Sequence, residues 1–396
     1  MLGHAYGKRV IVVAGKGNNG NDGRVAAYAL RRRGARVTTV EVSGQPAALD
    51  DSDLVIDAAF GTGFRGSYDA PSVAPGCQVL AVDIPSGVDA NTGATAGRPM
   101  RAHRTITLAA RKTGLLQGDG AALAGAVEVA DIGVPIERAE VALVVDADVD
   151  ALVPARPWAA HKWTTSVAVV AGSPGMEGAA VLCARGASRA GAGMVRLAVP
   201  GTAAPNGGAG PWPLENVRVP LATEGWAEMV LQMLDRCKAL VIGPGLGRHP
   251  HTQEEIRRVV RDSPVPVVVD ADGLVALGDA SAAHDLVVGR GTAERPVVLT
   301  PHDGEYRALA GEAPGPDRID ASRRLASRTG AIVLLKGSMT AVAAPGTASP
   351  IGLGSPEPSF GWPSVLLANS GTPRLATAGT GAVSYTHLRA HETGRN

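Results

Sequence analysis

The chain has 396 residues, of which 45% are hydrophobic and 19% charged, and this composition supplies enough apolar material for two packed domains. Its 38 Lys and Arg residues balance 37 Asp and Glu residues, and the absence of a basic block argues against nucleic-acid or membrane-surface partners. Three widely spaced cysteines, Cys77, Cys183 and Cys237, indicate reduced thiols rather than a zinc site. With no apolar signal region at the N-terminus, these features predict a cytoplasmic protein.

The first part of the chain alternates short apolar runs with helical or glycine-rich segments. The runs cover residues 9–15, 35–42, 53–61, 78–87 and 104–110. They are rich in β-branched residues and nearly continuous in hydrophobicity, which is typical of strands buried on both faces of a parallel sheet. Between the first two runs, apolar residues share one helical face and Gly34 closes the helix. The β-α-β order predicts a Rossmann-like, doubly wound α/β domain over residues 1–150.

A second series of short apolar runs begins after a change in composition near residue 150. Its apolar runs cover residues 166–175, 194–201, 239–247, 265–273, 295–305 and 331–346. They predict a second α/β domain over residues 155–381, with a boundary at about residues 150–160 and a flexible loop at residues 201–213. The last residues, 382–396, show no regular spacing of apolar residues. We therefore expect them to be an unrelated tail on an incomplete domain.

The loop after the first predicted strand contains Gly15, Gly17 and Gly20, followed about twenty residues later by Glu41. This G-x-G-x-x-G spacing is the outline of a dinucleotide-binding turn, in which backbone N–H groups meet a phosphate at a helix N-terminus. The loop is also filled with polar side chains, namely Asn18, Asn19, Asn21 and Asp22. The alternative is a glycine-rich turn whose asparagines bond their own backbone.

Two further polar motifs follow predicted strands. Asp57 precedes a loop with Gly61, Gly63 and Gly66, and Asp83 precedes Ser86 in "VDIPSGVDANTG". Because the carboxyl ends of parallel strands meet at one edge of a sheet, these loops predict a ligand site there. The oxygens of Asn19, Asp57 and Ser86 suit a hard cation, and Asp83 suits acid/base chemistry. Each aspartate has the alternative role of a loop or helix cap.

The motifs "AGKGNNGNDG", "DAAFGTG" and "DIPSGVDANTG", in this order, resemble the NAD(P)H-hydrate epimerase domain, whose members interconvert the R and S epimers of NAD(P)H hydrate. The resemblance implies a potassium ion held by Asn19, Asp57 and Ser86, and an acid/base role for Asp83 against the nicotinamide ring. It also implies that the hydrate is bound by Asn18, Asn19, Gly20, Asn21, Asp22, Gly61, Thr62, Gly63, Phe64, Arg65, Gly66 and Ser67. Asn21 stands where the family more often has glycine, and the family's helical N-terminal lead-in is short or missing.

The second half carries its own strand-end motifs: "GPGLG" at 243–247, "DADGL" at 270–274, "TPHDGE" at 300–305, "LKGSMT" at 335–340 and "AGTG" at 378–381. Lys336 is the cation best placed in the sequence to meet a phosphate. The glycine turn ending at Gly381 presents backbone N–H groups to a phosphate. His302 has either a substrate contact or a turn role.

Together these motifs resemble the ADP-dependent NAD(P)H-hydrate dehydratase, a relative of the ribokinase-like kinases that uses ADP, or in some relatives ATP, to remove the hydrate's water. The resemblance implies that Ala179, Gly245 and His302 contact the hydrate. It also implies that an adenine nucleotide with Mg²⁺ is bound by Lys336, Gly337, Ser338, Met339, Thr340 and Gly381. In the family an aspartate follows the G-T-G turn, whereas Ala382 stands here, so we expect this chain not to dehydrate the hydrate.

We therefore predict a bifunctional NAD(P)H-hydrate repair enzyme, a homo-oligomer with the hydrate and an adenine nucleotide as its small-molecule partners. Three alternatives stay open at this point. The first is an NAD-dependent oxidoreductase, which the polar N-N-G-N-D loop fits poorly. The second is a ribokinase-like small-molecule kinase with an added nucleotide-binding domain, and the third is a non-enzymatic nucleotide-binding scaffold.

Overall fold

A computed structural model describes residues 1–136, 139–153, 155–203, 212–290, 295–346 and 364–369. In these ranges the chain forms 18 strands and ten α-helices. The strands are β1 (Arg9–Ala14), β2 (Arg36–Glu41), β3 (Leu54–Ala58), β4 (Tyr68–Asp69), β5 (Gln78–Val82), β6 (Gly97–Arg98), β7 (Arg104–Leu108), β8 (Ala126–Ala130), β9 (Val141–Leu143), β10 (Ser166–Val170), β11 (Met194–Val199), β12 (Val217–Pro220), β13 (Ala239–Ile242), β14 (Val267–Val269), β15 (Val297–Leu299), β16 (Ile332–Leu335), β17 (Thr340–Ala343) and β18 (Val365–Ala368). The helices are α1 (Asn18–Arg32), α2 (Gly118–Leu123), α3 (Asp146–Leu152), α4 (Glu177–Arg189), α5 (Ala227–Met233), α6 (Pro250–Asp262), α7 (Asp272–Leu277), α8 (Ala280–Val288), α9 (Asp303–Ala310) and α10 (Arg318–Thr329).

The first sheet has six strands in the order β2-β1-β3-β5-β7-β8, and all neighbouring pairs are parallel. The chain leaves β1 toward one side to form β2 and returns on the other side to form β3. This reversal creates the crevice in which open α/β sheets bind ligands. Ala14 pairs with Ala58, so β1 and β3 end level and the loops that follow them are neighbours. The predicted Rossmann-like, doubly wound arrangement is confirmed.

Both faces of β1 are buried, as its continuous hydrophobicity predicts. Val10 and Val12 belong to one apolar cluster, whereas Ile11 and Val13 belong to another. Because successive side chains of a strand point to opposite faces, two clusters require apolar residues at every position. This two-sided burial holds the end of β1, and therefore the loop after it, in a fixed place.

The second sheet has ten strands in the order β12-β11-β10-β13-β14-β15-β16-β17-β18-β9. From β12 to β16 all pairs are parallel, which confirms the predicted second α/β domain. The run at 331–346 forms two antiparallel strands instead of one, because the chain turns back at Gly337 and Ser338 between β16 and β17.

The chain divides into two compact units. The first holds Met1–Glu137 with Gly315–Arg318, and the second holds Arg138–Pro314 with Ile319–Asn396. This division differs from the predicted boundary at about residues 150–160, because β9 pairs with β18 and so completes the second sheet. The functional assignment of residues 1–150 and 155–381 stays a prediction. Residues 204–211 of the predicted flexible loop, and the predicted tail at 382–396, lie outside the described residues.

Across the described ranges, none of the helices combines the length and apolar character that a membrane crossing requires.

Candidate active sites

The loop between β1 and α1 leads into a helix whose N-terminus has no side-chain cap. Gly17 is the N-cap residue, and the first turn of α1 contains no acidic side chain. The first backbone N–H groups and the positive end of the helix dipole therefore suit an anionic ligand. Asn18, Asn21 and Asp22 are exposed around this end, whereas Asn19 is half-buried.

The glycines of this loop differ in how much space surrounds them. A Cβ on Gly15 would lie 1.9 Å from the Ala59 carbonyl oxygen, and one on Gly20 would lie 1.9 Å from the Gly15 carbonyl oxygen. A Cβ on Gly17 would meet no atom within 4 Å. Gly15 and Gly20 are therefore required by close backbone packing, and only Gly17 borders open space.

Glu41 is occupied by an ion pair. The Arg24 guanidinium donates to the Glu41 carboxylate at 2.6 Å and to the Gly15 carbonyl oxygen at 3.0 Å. In a redox Rossmann domain the acidic residue at this spacing binds the ribose hydroxyl of the cofactor. Here Arg24 forms an ion pair with that carboxylate. The acidic residue that would bind a ribose hydroxyl beside the G-x-G-x-x-G motif is therefore already occupied.

Asn19, Asp57 and Ser86 meet around the backbone of Phe60, as the sequence motifs predict for a shared site. The Ser86 hydroxyl lies 2.6 Å from Asp57 Oδ1, and the Ser86 N–H donates to Asp57 Oδ2 at 2.8 Å. The Phe60 N–H donates to Ser86 Oγ at 2.8 Å, and Asn19 Nδ2 donates to the Phe60 carbonyl oxygen at 2.9 Å. We call these four residues the Asp57 cluster.

Asp57 is a fully buried carboxylate. Burial raises the pKa of Asp57 above its usual range, and the hydrogen bonds from Ser86 oppose this shift. Among the described residues, no lysine or arginine forms an ion pair with it. A buried carboxylate without a basic partner is costly, and a bound cation relieves that cost.

Asp83 lies at the end of β5 in a strained backbone conformation, with φ of 68°. Its Oδ1 accepts hydrogen bonds from the Leu108 N–H at 3.1 Å and from the Thr107 hydroxyl at 3.3 Å. The Lys112 ammonium forms an ion pair with the same oxygen. A left-handed conformation at a non-glycine residue is held by its surroundings, and such strain concentrates at functional sites. Sequence reasoning missed Lys112, whose only signal is a cation shortly after β7, the neighbour of β5.

The predicted hydrate-binding loop from Gly61 to Ser67 adjoins the Asp57 cluster. The Phe60 and Phe64 rings lie 4.3 Å apart, and Tyr68 packs against Phe60 edge to face at 5.0 Å. These rings anchor both ends of the loop. The residues between them are mostly exposed, namely Thr62, Gly63, Arg65, Gly66 and Ser67.

In the second unit, Ala179 and Gly245 are neighbours. Gly245 has φ of 68°, and a Cβ on it would lie 2.8 Å from the Ala179 Cβ. The Ser173 hydroxyl donates to the Gly245 carbonyl oxygen at 2.9 Å. Two of the three residues predicted to contact the hydrate there are thus brought together by the first turn of α4 and the loop after β13.

His302 is the N-cap of α9. Its Nδ1 accepts from the Gly304 N–H at 2.9 Å and from the Glu305 N–H at 3.2 Å, while Glu305 accepts from the His302 N–H. This reciprocal capping box accounts for the turn role that the sequence left open. The imidazole is largely exposed, and its Nε2 lies 3.5 Å from Glu305 Oε1. The predicted hydrate contact stays a prediction.

Lys336 lies at the end of β16 beside two carboxylates. Its ammonium nitrogen is 2.7 Å from Asp270 Oδ1 and 3.6 Å from Glu305 Oε2. Asp270 is buried and also accepts from the Thr300 hydroxyl at 2.9 Å. Sequence reasoning noted the "DADGL" and "TPHDGE" motifs but did not assign Asp270, Thr300 or Glu305 to a site.

The rest of the predicted nucleotide-binding segment forms the β16–β17 turn. Gly337 and Ser338 are exposed, Thr340 is half-buried, and the Met339 side chain is only 1% exposed. Met339 is therefore part of the core, so any ligand contact it makes is through its backbone. Gly381, predicted to bind the nucleotide, lies outside the described residues.

Two family models match the chain. Residues 1–52 and 41–114 match the family described as YjeF-related protein N-terminus, and residues 167–361 match the family described as NAD(P)H-hydrate dehydratase. Among curated relatives, a bifunctional NAD(P)H-hydrate repair enzyme from Salinibacter ruber is 35% identical over 96% of this chain and 78% of its own length. A protein of the same name from Mycobacterium tuberculosis is 37% identical over the same shares of the two chains.

Two solved structures similar to the chain each have a TM-score below one half. A ribokinase-like superfamily protein from Enterococcus faecalis has a TM-score of 0.48 at 17% identity, covering 64% of this chain and 80% of its own. An ADP/ATP-dependent NAD(P)H-hydrate dehydratase from Bacillus subtilis, co-crystallised with ATP and Mg²⁺, has a TM-score of 0.45 at 25% identity, covering 61% and 77%.

Proposed function

The chain belongs to the family of bifunctional NAD(P)H-hydrate repair enzymes, and we propose the residues through which each of its units acts. Its function is the repair of hydrated NAD(P)H, which in this family combines epimerisation of the R and S hydrates with dehydration of the S epimer to NAD(P)H. Neither an oxidoreductase nor a small-molecule kinase is favoured, because the relatives matched over 96% of this chain are hydrate repair enzymes.

For the first unit, the observation that carries the proposal is the Asp57 cluster beside the uncapped N-terminus of α1. The hydrate is a dinucleotide, and its phosphates suit the backbone N–H groups at Asn18 to Asp22. The exposed loop from Gly61 to Ser67 borders the same crevice and supplies the second wall. We therefore assign both segments to hydrate binding.

The same cluster fits a potassium ion. The Asp57 carboxylate, the Ser86 hydroxyl, the Asn19 side chain and the Phe60 carbonyl are oxygen donors of the kind that hard cations prefer. The buried negative charge of Asp57 lacks a basic partner among the described residues and so favours a cation over water. When bound, the ion supplies positive charge that neutralises Asp57 and holds the Phe60 backbone.

We assign the acid/base role to Asp83. Epimerisation inverts the hydroxyl-bearing carbon of the hydrate with no net change of atoms, so any proton that the enzyme takes from the hydrate is returned to it. A positioned carboxylate performs both transfers. Asp83 is 9% exposed, follows β5 at the carboxyl edge of the sheet and is held in place by Thr107, Leu108 and Lys112.

In the second unit, we propose that Lys336 meets the phosphates of ADP or ATP and that the turn from Gly337 to Thr340 binds the same nucleotide. Asp270 and Glu305, the two carboxylates beside Lys336, are the oxygen donors available to Mg²⁺. The contact between Ala179 and Gly245, together with the exposed imidazole of His302, supports hydrate binding at the ends of the neighbouring strands.

The epimerase proposal is tested by adding the purified chain to an unequal mixture of R and S hydrates and following their ratio by liquid chromatography. We expect faster exchange than in buffer alone, and more so with KCl than with choline chloride. An unchanged exchange rate would contradict the epimerase assignment.

The second activity is measured separately, with the S hydrate, ADP or ATP, and Mg²⁺, by the absorbance of the NADH formed. We predict that this assay detects no dehydration by this chain. NADH production would contradict it.

We also propose a cytoplasmic location and a homo-oligomer. The location is supported by the three cysteines, which are all buried and unpaired, as in proteins of reducing compartments. The oligomer is supported by the exposed apolar side chains of Val25 and Tyr28 on the outer side of α1. Light scattering on the purified protein measures its mass directly, and a monomer mass would contradict the oligomer.

A further inference from the structure

The contacts of Asp83 are all on one of its two carboxylate oxygens. Oδ1 accepts from the Thr107 hydroxyl, the Leu108 N–H and the Lys112 ammonium. Among the described residues, none donates to Oδ2. The carboxylate is thus anchored by one oxygen, and the other is left for a ligand.

Lys112 is itself held from two directions. Its ammonium donates to Asp83 Oδ1 and, at 2.7 Å, to the Leu108 carbonyl oxygen. The side chains of Lys112 and Asp83 are 19% and 12% exposed, so water screens this pair less than it screens a surface ion pair. An ammonium has three donors, and the described residues accept two of them.

The backbone around Lys112 directs it to this position. Ala109, directly after β7, has φ of 63°, a conformation that turns the chain back over the end of the sheet. The Lys112 side chain then reaches β5, the strand beside β7, where Asp83 also has a positive φ. Two strained residues at the ends of adjacent strands hold one ion pair.

A second lysine–aspartate pair in the same unit has a different form. Lys8 contacts Asp53 Oδ1 at 3.2 Å, and the Arg9 N–H donates to Asp53 Oδ2 at 2.7 Å. Both oxygens of Asp53 are therefore used, and the pair lies at the amino ends of β1 and β3. In contrast to Asp83, Asp53 uses both carboxylate oxygens to join the starts of the two strands.

We propose that Lys112 is a positioning residue for the epimerase reaction, which fixes the Asp83 carboxylate through Oδ1 so that Oδ2 faces the hydrate. This inference rests on the proposed acid/base role of Asp83. It adds that the orientation and negative charge of that carboxylate depend on a cation at position 112. Loss of the cation leaves Asp83 Oδ1 with two neutral donors, so the carboxylate is held less firmly.

The test compares Lys112→Met and Lys112→Gln with Lys112→Arg, and uses Lys8→Met as the matched control. With R and S hydrates, we expect the two neutral variants to lower kcat about 10- to 100-fold while KM changes less than about threefold. Lys112→Arg keeps a cation and retains kcat within about fivefold. Lys8→Met keeps the kcat of the unsubstituted chain.

Thermal unfolding of each variant distinguishes positioning from folding. If kcat of both neutral variants stays within about twofold of the unsubstituted chain, the inference is overturned. It is also overturned if Lys112→Arg is as impaired as Lys112→Met, or if activity falls only in proportion to the folded fraction. Absence of epimer exchange in the unsubstituted chain would instead overturn the proposed function itself.

Discussion

Ser86 holds both oxygens of the Asp57 carboxylate, with its hydroxyl 2.6 Å from Oδ1 and its N–H 2.8 Å from Oδ2. A single residue from the loop after β5 thus orients a buried negative charge at the end of β3. Ser86 also accepts from the Phe60 N–H, so the same hydroxyl joins the carboxylate to the loop that borders the crevice. The arrangement fixes the oxygen donors of the proposed cation site.

Replacement of Asp57 by asparagine removes the charge and keeps the shape. We expect KCl to raise the Tm of the unsubstituted chain relative to choline chloride, because a ligand that binds only the folded state stabilises it. In Asp57→Asn this KCl-dependent increase and the KCl dependence of epimer exchange are both lost. Differential scanning calorimetry in the two salts measures the first effect.

The matched control is Asp53→Asn, which changes an aspartate at the opposite end of the same strand. It is expected to keep the KCl-dependent increase in Tm. A KCl effect of equal size in Asp57→Asn would contradict the cation site.

Gly20→Ala and Gly17→Ala separate packing from ligand access in one loop. Helix propensity alone would favour alanine at position 20 by about 1 kcal/mol. The Gly15 carbonyl oxygen lies only 1.9 Å from the position of the new Cβ, so we expect Gly20→Ala to lower the free energy of unfolding by about 2 kcal/mol or more.

The methyl group added by Gly17→Ala would point into open space, and the backbone φ of −85° at this position suits alanine. The free energy of unfolding is expected to change by less than about 1 kcal/mol, while KM for the hydrate rises because the methyl group enters the phosphate approach. Urea unfolding and epimer-exchange kinetics measure the two effects. Equal destabilisation by both substitutions would refute the packing argument for Gly20.

Lys336→Gln tests the nucleotide site of the second unit. We expect the Kd for ADP or ATP, measured by calorimetry, to rise about tenfold, because a charge-assisted hydrogen bond to phosphate is lost. The free energy of unfolding also falls, because Asp270 is only 2% exposed and loses its cation. Lys238→Gln, an exposed lysine before β13, serves as the control and should leave both quantities unchanged.

The cysteines give a prediction about pH. Burial, with a smaller contribution from the nearby Asp270 charge, raises the pKa of the Cys183 thiol to about 12. Burial also raises the pKa of Cys237. Because the thiolate is the reactive form, and it forms only as the pH approaches the pKa, neither thiol should react with iodoacetamide at pH 8 in the folded protein. Mass spectrometry should find all three cysteines modified after denaturation, and rapid alkylation of Cys183 before denaturation would contradict the burial of that thiol.

Much of the Asp57 cluster could be predicted from the sequence, because its three side chains each lie near the carboxyl end of a predicted strand or just after it. The loops after parallel strands share one edge of the sheet, so Asn19, Asp57 and Ser86 had to approach each other. Lys112 could not be found in this way. It lies 29 residues from Asp83 in a segment without a motif, and a lone lysine after a strand is usually solvated.

The division into two compact units also depends on contacts between distant segments. Residues 141–143 form a short apolar segment before the proline-containing region, and nothing local distinguishes a last strand of one sheet from an edge strand of the next. Their partner, β18, begins at Val365, and that pairing joins them to the second unit.

The sequence by itself determined the α/β class of both units and the three polar loops of the first unit, because hydrophobic period, glycine positions and strand-end polarity are local properties. The tertiary structure decided which oxygen of Asp83 is anchored, which glycines are required by packing and which charges are paired. These depend on distances between segments far apart in the chain. Burial and the close approach of backbones set those distances, and no local pattern records them.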